Sequence, residues 1–140
     1  MPLFRPGKPH RLLKRTTAAG GTTGLQTITW DSSEDEGDWS TSDLTTSVVE
    51  RPGLYLISLS VVKATGGGSV QPLIYVNGVR RAGNTGPSAT GLNFGNSTFC
   101  DMLELGDAIT GRYAGFGASS TFDTDGTRMA IVRIGPLRWT

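Results

Sequence analysis

The side chains able to do covalent chemistry are few and widely spaced. The only histidine, His10, stands between Pro9 and Arg11, and the only cysteine, Cys100, lies between Phe99 and Asp101 far along the chain. A serine or cysteine nucleophile needs a base within hydrogen-bond reach, and the chain offers a single imidazole for that task. Cys100 reads instead as a small apolar strand residue with a structural role. Glu34, Asp35, Glu36 and Asp38 contain enough carboxylates for the acid and base of a glycosidase, but neighbouring acids in a Ser/Gly stretch usually form a solvated face. The same stretch from Asp31 to Asp38, and Asp123-x-Asp125-Gly126, are the candidate oxygen ligands for calcium, an ion that takes about six to eight oxygens. Neither stretch has the spacing or closing glutamate of an EF-hand, and Asp-Gly is an ordinary turn. One Cys and one His exclude a zinc centre. No catalytic residue, metal or cofactor is assigned, and the chain is read as a non-enzyme.

The basic residues are more informative. Residues 1–15 hold Arg5, Lys8, Arg11, Lys14 and Arg15 with no acid, a charge of +5, whereas the other 125 residues carry 8 basic and 12 acidic side chains, a charge of −4. Pro2, Pro6 and Pro9 each remove a backbone donor and disfavour helix at the preceding residue, so residues 1–15 are expected to be an extended arm ordered against a partner. Such an arm can neutralise phosphates, dock on an acidic protein surface or simply solubilise. Phe4, Leu12 and Leu13 interleave with the charges, which suits a protein groove better than nucleic acid, and the body offers no aromatic stacking platform. Phe4, Arg5, Lys8, Arg11, Leu12, Leu13, Lys14 and Arg15 are therefore the candidate partner-binding residues. The first residues lack the apolar stretch of about 7 to 15 residues that a secretory signal needs, so none is expected in the chain as it stands, and no apolar run approaches the roughly 18 residues of a membrane span.

The elements that must position these residues are strands. With 140 residues, 20 Gly and 36% hydrophobic content, the chain suits one domain with many turns. Residues 16–24 read as a small-residue linker, which divides the chain into an arm and linker over 1–24 and a body over 25–140. Leu25 to Trp30 forms a first strand, with Ile28 and Trp30 on one face. Asp31 to Asp43 is an acidic surface loop with Trp39 as its apolar anchor. Leu54 to Val62 is the strongest strand: Tyr55, Ile57, Leu59 and Val61 share one face, and the opposite face is small and half-apolar, as where another layer or subunit packs. Asn77-Gly78 between β-prone residues specifies a tight hairpin. Further strands run over 97–105, 108–114 and 127–134. About eight or nine short strands and no helical pattern predict an all-β antiparallel jelly-roll sandwich with an extended N-terminal arm.

The order of Ile28-x-Trp30, Gly37-Asp-Trp39, Pro52-Gly-Leu-Tyr55, Leu73-Ile-Tyr-Val-Asn-Gly78 and Leu103-Glu-Leu-Gly-Asp107 resembles the C1q/TNF-like jelly-roll superfamily over about residues 25–135. The resemblance implies a ten-stranded jelly roll assembled as a homotrimer. The missing collagen-like stretch and signal, and the basic arm, set the chain apart from secreted ligands of that type and closer to similar domains of bacteriophage virions. The resulting expectation is a virion structural protein, assembled in the host cytoplasm, whose arm clamps a trimer to the major capsid protein or another shell protein as a decoration. The alternative is a tail or fibre tip whose loops, including Trp39 and residues 83–91, meet a host glycan or protein. A secreted ligand is the third reading.

Overall fold

In the computed structural model, residues 10–16, 20–21, 23–37, 39–40, 42–83, 93–124 and 126–136 are described. They form eleven strands and no helix: β1 (His10–Lys14), β2 (Gln26–Thr27), β3 (Ser32–Glu36), β4 (Ser47–Val48), β5 (Gly53–Thr65), β6 (Gly68–Val76), β7 (Val79–Ala82), β8 (Phe94–Leu103), β9 (Ala108–Phe116), β10 (Thr121–Phe122) and β11 (Arg128–Gly135). All pairs are antiparallel. A six-stranded sheet runs β3-β1-β11-β5-β8, with β10 pairing β5 beyond β11, and a five-stranded sheet runs β2-β9-β6-β7, with β4 also on β9.

Two-residue alternation decides what each strand buries. Along β5, Tyr55, Ile57, Leu59 and Val61 are essentially inaccessible and Leu56 and Ser58 are exposed, as the sequence pattern requires. Met129 and Ile131 of β11 lie beside them in the same sheet, and Val70, Ile74 and Val76 of β6 with Ile109, Tyr113 and Phe116 of β9 meet them across the sandwich. Ile28 and Trp30 enter the same core, although only Gln26–Thr27 of that segment pairs as a strand. Tyr113, Phe116 and Phe122 close one end, with ring centroids 4.7 to 5.0 Å apart. The Asn77-Gly78 turn has φ of 52° and 77°, the left-handed pair that a tight hairpin needs.

Three sequence expectations are corrected. First, the described part of the arm is not free: β1 lies inside the six-stranded sheet, hydrogen-bonded to β11 on one side and β3 on the other. The jelly roll therefore begins by His10, not at residue 25. Leu13 is fully buried, and Arg11 and Arg15 are nearly so, because β1 has a core-facing side that contains two arginines and one leucine. Second, the acidic stretch after Trp30 is not all loop, since Ser32–Glu36 is the edge strand beside β1. Charged side chains suit such an edge because they discourage further strand pairing. Third, Cys100 is exposed rather than buried, for it stands on the solvent side of β8.

Candidate functional site

Residues proposed from sequence to bind a partner divide between the two faces of the six-stranded sheet. Arg11 is directly opposite Asp35 in the β1–β3 register; Arg11 is buried, and the Asp35 side chain is 15% exposed. Arg11 Nε donates to Asp35 Oδ1 at 2.9 Å, and Nη2 donates to Oδ2 at 3.1 Å. Nη1 and Nη2 also donate to Ser47 Oγ at 3.1 Å and to the Ser40 carbonyl at 2.6 Å, and the guanidinium lies 5.5 Å from the Trp39 ring centroid. The planar fork of arginine can meet so many acceptors at once; a lysine cannot. Arg15 donates through Nη1 to the carbonyl and hydroxyl of Thr29 at 2.6 and 3.0 Å and stacks on Phe122. These arginines hold β1 to the body. Arg11, Leu13 and Arg15 are thus not available to clamp another protein, which corrects the arm reading at its centre. Phe4, Arg5 and Lys8 lie outside the described residues.

Trp39 is corrected in the same way. It is buried in the core cluster, and its Nε1 donates to the Glu36 carbonyl at 3.2 Å, so it does not face a receptor. Most of the second proposed receptor loop, residues 84–91, lies outside the described residues.

The carboxylates proposed for catalysis or calcium are engaged singly. Asp35 is held by Arg11, and Asp31 Oδ1 accepts from the backbone and hydroxyl of Thr16. Glu34 accepts from Lys14 Nζ at 2.9 Å, and Glu36 Oε2 is 3.3 Å from His10 Nδ1. The hydrogen bond and the charge of Lys14 hold the Glu34 carboxyl below its usual value. Among the described residues no three His, Cys, Asp or Glu side chains gather as a metal site would require. Asp38 and Asp125 lie outside the described residues.

The outward face of the six-stranded sheet has a different character. Cross-strand register reads it row by row: Glu36, His10, Val132, Leu56 and Cys100, then Glu34, Leu12, Ala130, Ser58 and Thr98, then Ser32, Lys14, Arg128, Ser60 and Asn96. Leu54 and Met102 pair just beyond the first row. Apolar and small side chains occupy the middle, and charges sit toward β3 and β1. Leu56 and Ile134 are each 38% exposed. The sequence carried part of this signal in the half-apolar second face of β5. It hid the contribution of Leu12, because β1 was not visible as a strand.

No known family model matches the chain, and no curated protein matches it. Solved structures do. Murine APRIL at pH 5.0 superposes with a TM-score of 0.62 at 15% identity, covering 91% of this chain and 100% of that one. GITRL from bushbaby superposes with a TM-score of 0.63 at 11% identity, covering 96% of this chain and 100% of that one. The fold is therefore a TNF-like jelly roll, and identities this low carry the fold alone. The expected virion setting and capsid partner gain no support from these neighbours.

Proposed function

We propose that this protein is a homotrimeric binding module, acting through its surfaces and not by catalysis, whose copies pack on the outward face of the six-stranded sheet. One observation carries the reading: Leu12, Leu54, Leu56, Cys100, Met102, Ala130 and Val132 are contiguous on that face by strand register. Soluble proteins seldom leave such a patch to water, and where they do it marks an interaction site. A second copy is the occupant favoured by the superfamily resemblance, which implies threefold self-association. Charge placement agrees with it. His10, Lys14, Glu34, Glu36 and Arg128 lie toward one margin, where they can stay hydrated or paired while the apolar middle is covered.

Native mass spectrometry of the full chain tests this. The expected mass is that of three chains, and Leu56→Arg should reduce it to one chain without altering the far-ultraviolet circular dichroism. A monomeric parent protein would overturn self-association. A trimeric Leu56→Arg variant would remove this face as its site.

A further inference from the structure

Lys63 occupies an inward position near the end of β5 and is only 3% exposed, so its ammonium is enclosed by the fold. A buried cation is ordinarily paired with an acid. Among the described residues no carboxylate comes within ion-pair distance of Lys63. Its Nζ donates instead to two uncharged oxygens, the carbonyls of Gly67 at 3.1 Å and Gly68 at 2.8 Å. Arg11, by contrast, is buried with Asp35 as its counterion.

Further donors meet at the Gly67 oxygen. Ser120, itself buried, donates to it through Oγ at 2.8 Å, and the Gly117 N–H donates to it at 3.1 Å. An ammonium, a hydroxyl and an amide therefore converge on one neutral carbonyl, which has two lone pairs to offer them. A carboxylate oxygen, sharing a full negative charge, satisfies such a set better. The segment that delivers the carbonyl brings little else: residues 66–68 are glycines at the turn from β5 into β6, all exposed and with no side chain to bury. Their seat excludes a side chain, since a Cβ at Gly66 would lie 2.4 Å from the Ser120 Cα and one at Gly68 would lie 2.6 Å from the Gly117 nitrogen. A tip without buried apolar contacts opens locally at low cost. The donors beneath it have supports of their own, because the Gly117 N–H also donates to Ser120 Oγ at 2.9 Å and the Ser120 N–H donates to the Gly117 carbonyl at 3.1 Å.

We propose that Lys63 Nζ, Ser120 Oγ and the Gly117 amide form a binding site for a small carboxylate, which the Gly67 carbonyl fills while the glycine tip is seated and which the ligand opens by displacing that tip. The ammonium drives the exchange, because it gains more from a full negative charge than from a carbonyl dipole. The seated tip lowers the apparent affinity by the fraction of molecules it keeps closed. Lys63 lies on the opposite side of β5 from the proposed self-association face, and the inference does not depend on that assembly, since binding is read on the chain in whatever oligomer it forms.

The test titrates the full chain, labelled with carbon-13 at lysine Cε, with sodium acetate at constant ionic strength. The Lys63 resonance, identified by its loss in Lys63→Met, should shift saturably with acetate and not with neutral acetamide. Gly66→Ala, which cannot seat the tip, should tighten acetate binding about tenfold by raising the open fraction. Gly67→Ala, whose added Cβ meets nothing, should leave it unchanged. Thr65→Val removes the 2.6 Å hydroxyl contact with Thr121 that ties this hairpin to β10, and it should tighten binding in the same direction if Gly66→Ala fails to fold. Absence of a saturable shift in the parent and in the opened variant, or an equal response to acetamide, would overturn the site. Unchanged affinity in the folded tip variants would overturn displacement of the tip, and inorganic phosphate binding as tightly as acetate would overturn the assignment to carboxylates.

Discussion

Arg11 keeps its charge in the interior because Asp35 meets it with both oxygens and two further oxygens take its remaining donors. Removing one partner of such a pair leaves a buried charge without its counterion, whereas replacing both with apolar groups can cost far less. Asp35→Ala should therefore lower unfolding free energy by about 3 kcal/mol in a urea titration, and Arg11→Met with Asp35→Leu should recover much of that loss. Equal stability of the single variant and the parent would show that Ser40 and Ser47 suffice. Tyr55 supplies the matching prediction in alkali. Its hydroxyl donates to the Arg51 carbonyl at 2.6 Å, and burial pushes its ionisation up despite the opposing charges of Arg133 and Arg51. A group raised in the fold contributes stability below its unfolded value, about 10, and that contribution disappears as pH climbs through the folded value. Stability should fall above about pH 10 in the parent and fall less steeply in Tyr55→Phe. Parallel pH curves for the two proteins would exclude Tyr55 as the cause.

At the level of elements, two glycines with positive φ separate backbone strain from crowding. Gly78 has φ of 77° with open space where a Cβ would stand, whereas at Gly66, with φ of 95°, a Cβ would come 2.4 Å from the Ser120 Cα. Gly78→Ala should cost about 1 to 2 kcal/mol, the left-handed penalty alone. Gly66→Ala should cost clearly more, because one hairpin must move off the residues before β10. Comparable thermal shifts for the two would contradict the close approach. The Asn-Gly hairpin and the alternation of β5 were legible in the sequence because turn chemistry and a two-residue period act locally. β1 was not, since its inward positions are Arg11, Leu13 and Arg15, and two arginines on a core side look like solvent positions until Asp35 and Phe122 are brought to them. β3 looked like a loop for a related reason: an edge strand needs few apolar residues. Trp39 was recognisable as an anchor, but the residues that cover it come from distant parts of the chain. Leu12 belongs to the candidate self-association face only once β1 is known to be a strand, so that surface was legible only through β5.

For the whole molecule, the two sheets present unlike exteriors. One offers an apolar middle with charges at its margin, and the other offers arginines with no acid in its strands. The position of β1 has a further consequence, concerning time. His10 pairs with Val132, 122 positions later (132 − 10), and β5 also completes one of its edges against β11. During synthesis the six-stranded sheet cannot close until its last strand has left the ribosome. Until then β1 and one side of β5 wait with unpaired backbone groups. Ladders of such long sequence separation form slowly, in milliseconds to seconds, and expose edges to aggregation meanwhile. Closure of the six-stranded sheet is accordingly a late event, set by the release of β11 and not by the order in which the earlier strands are made.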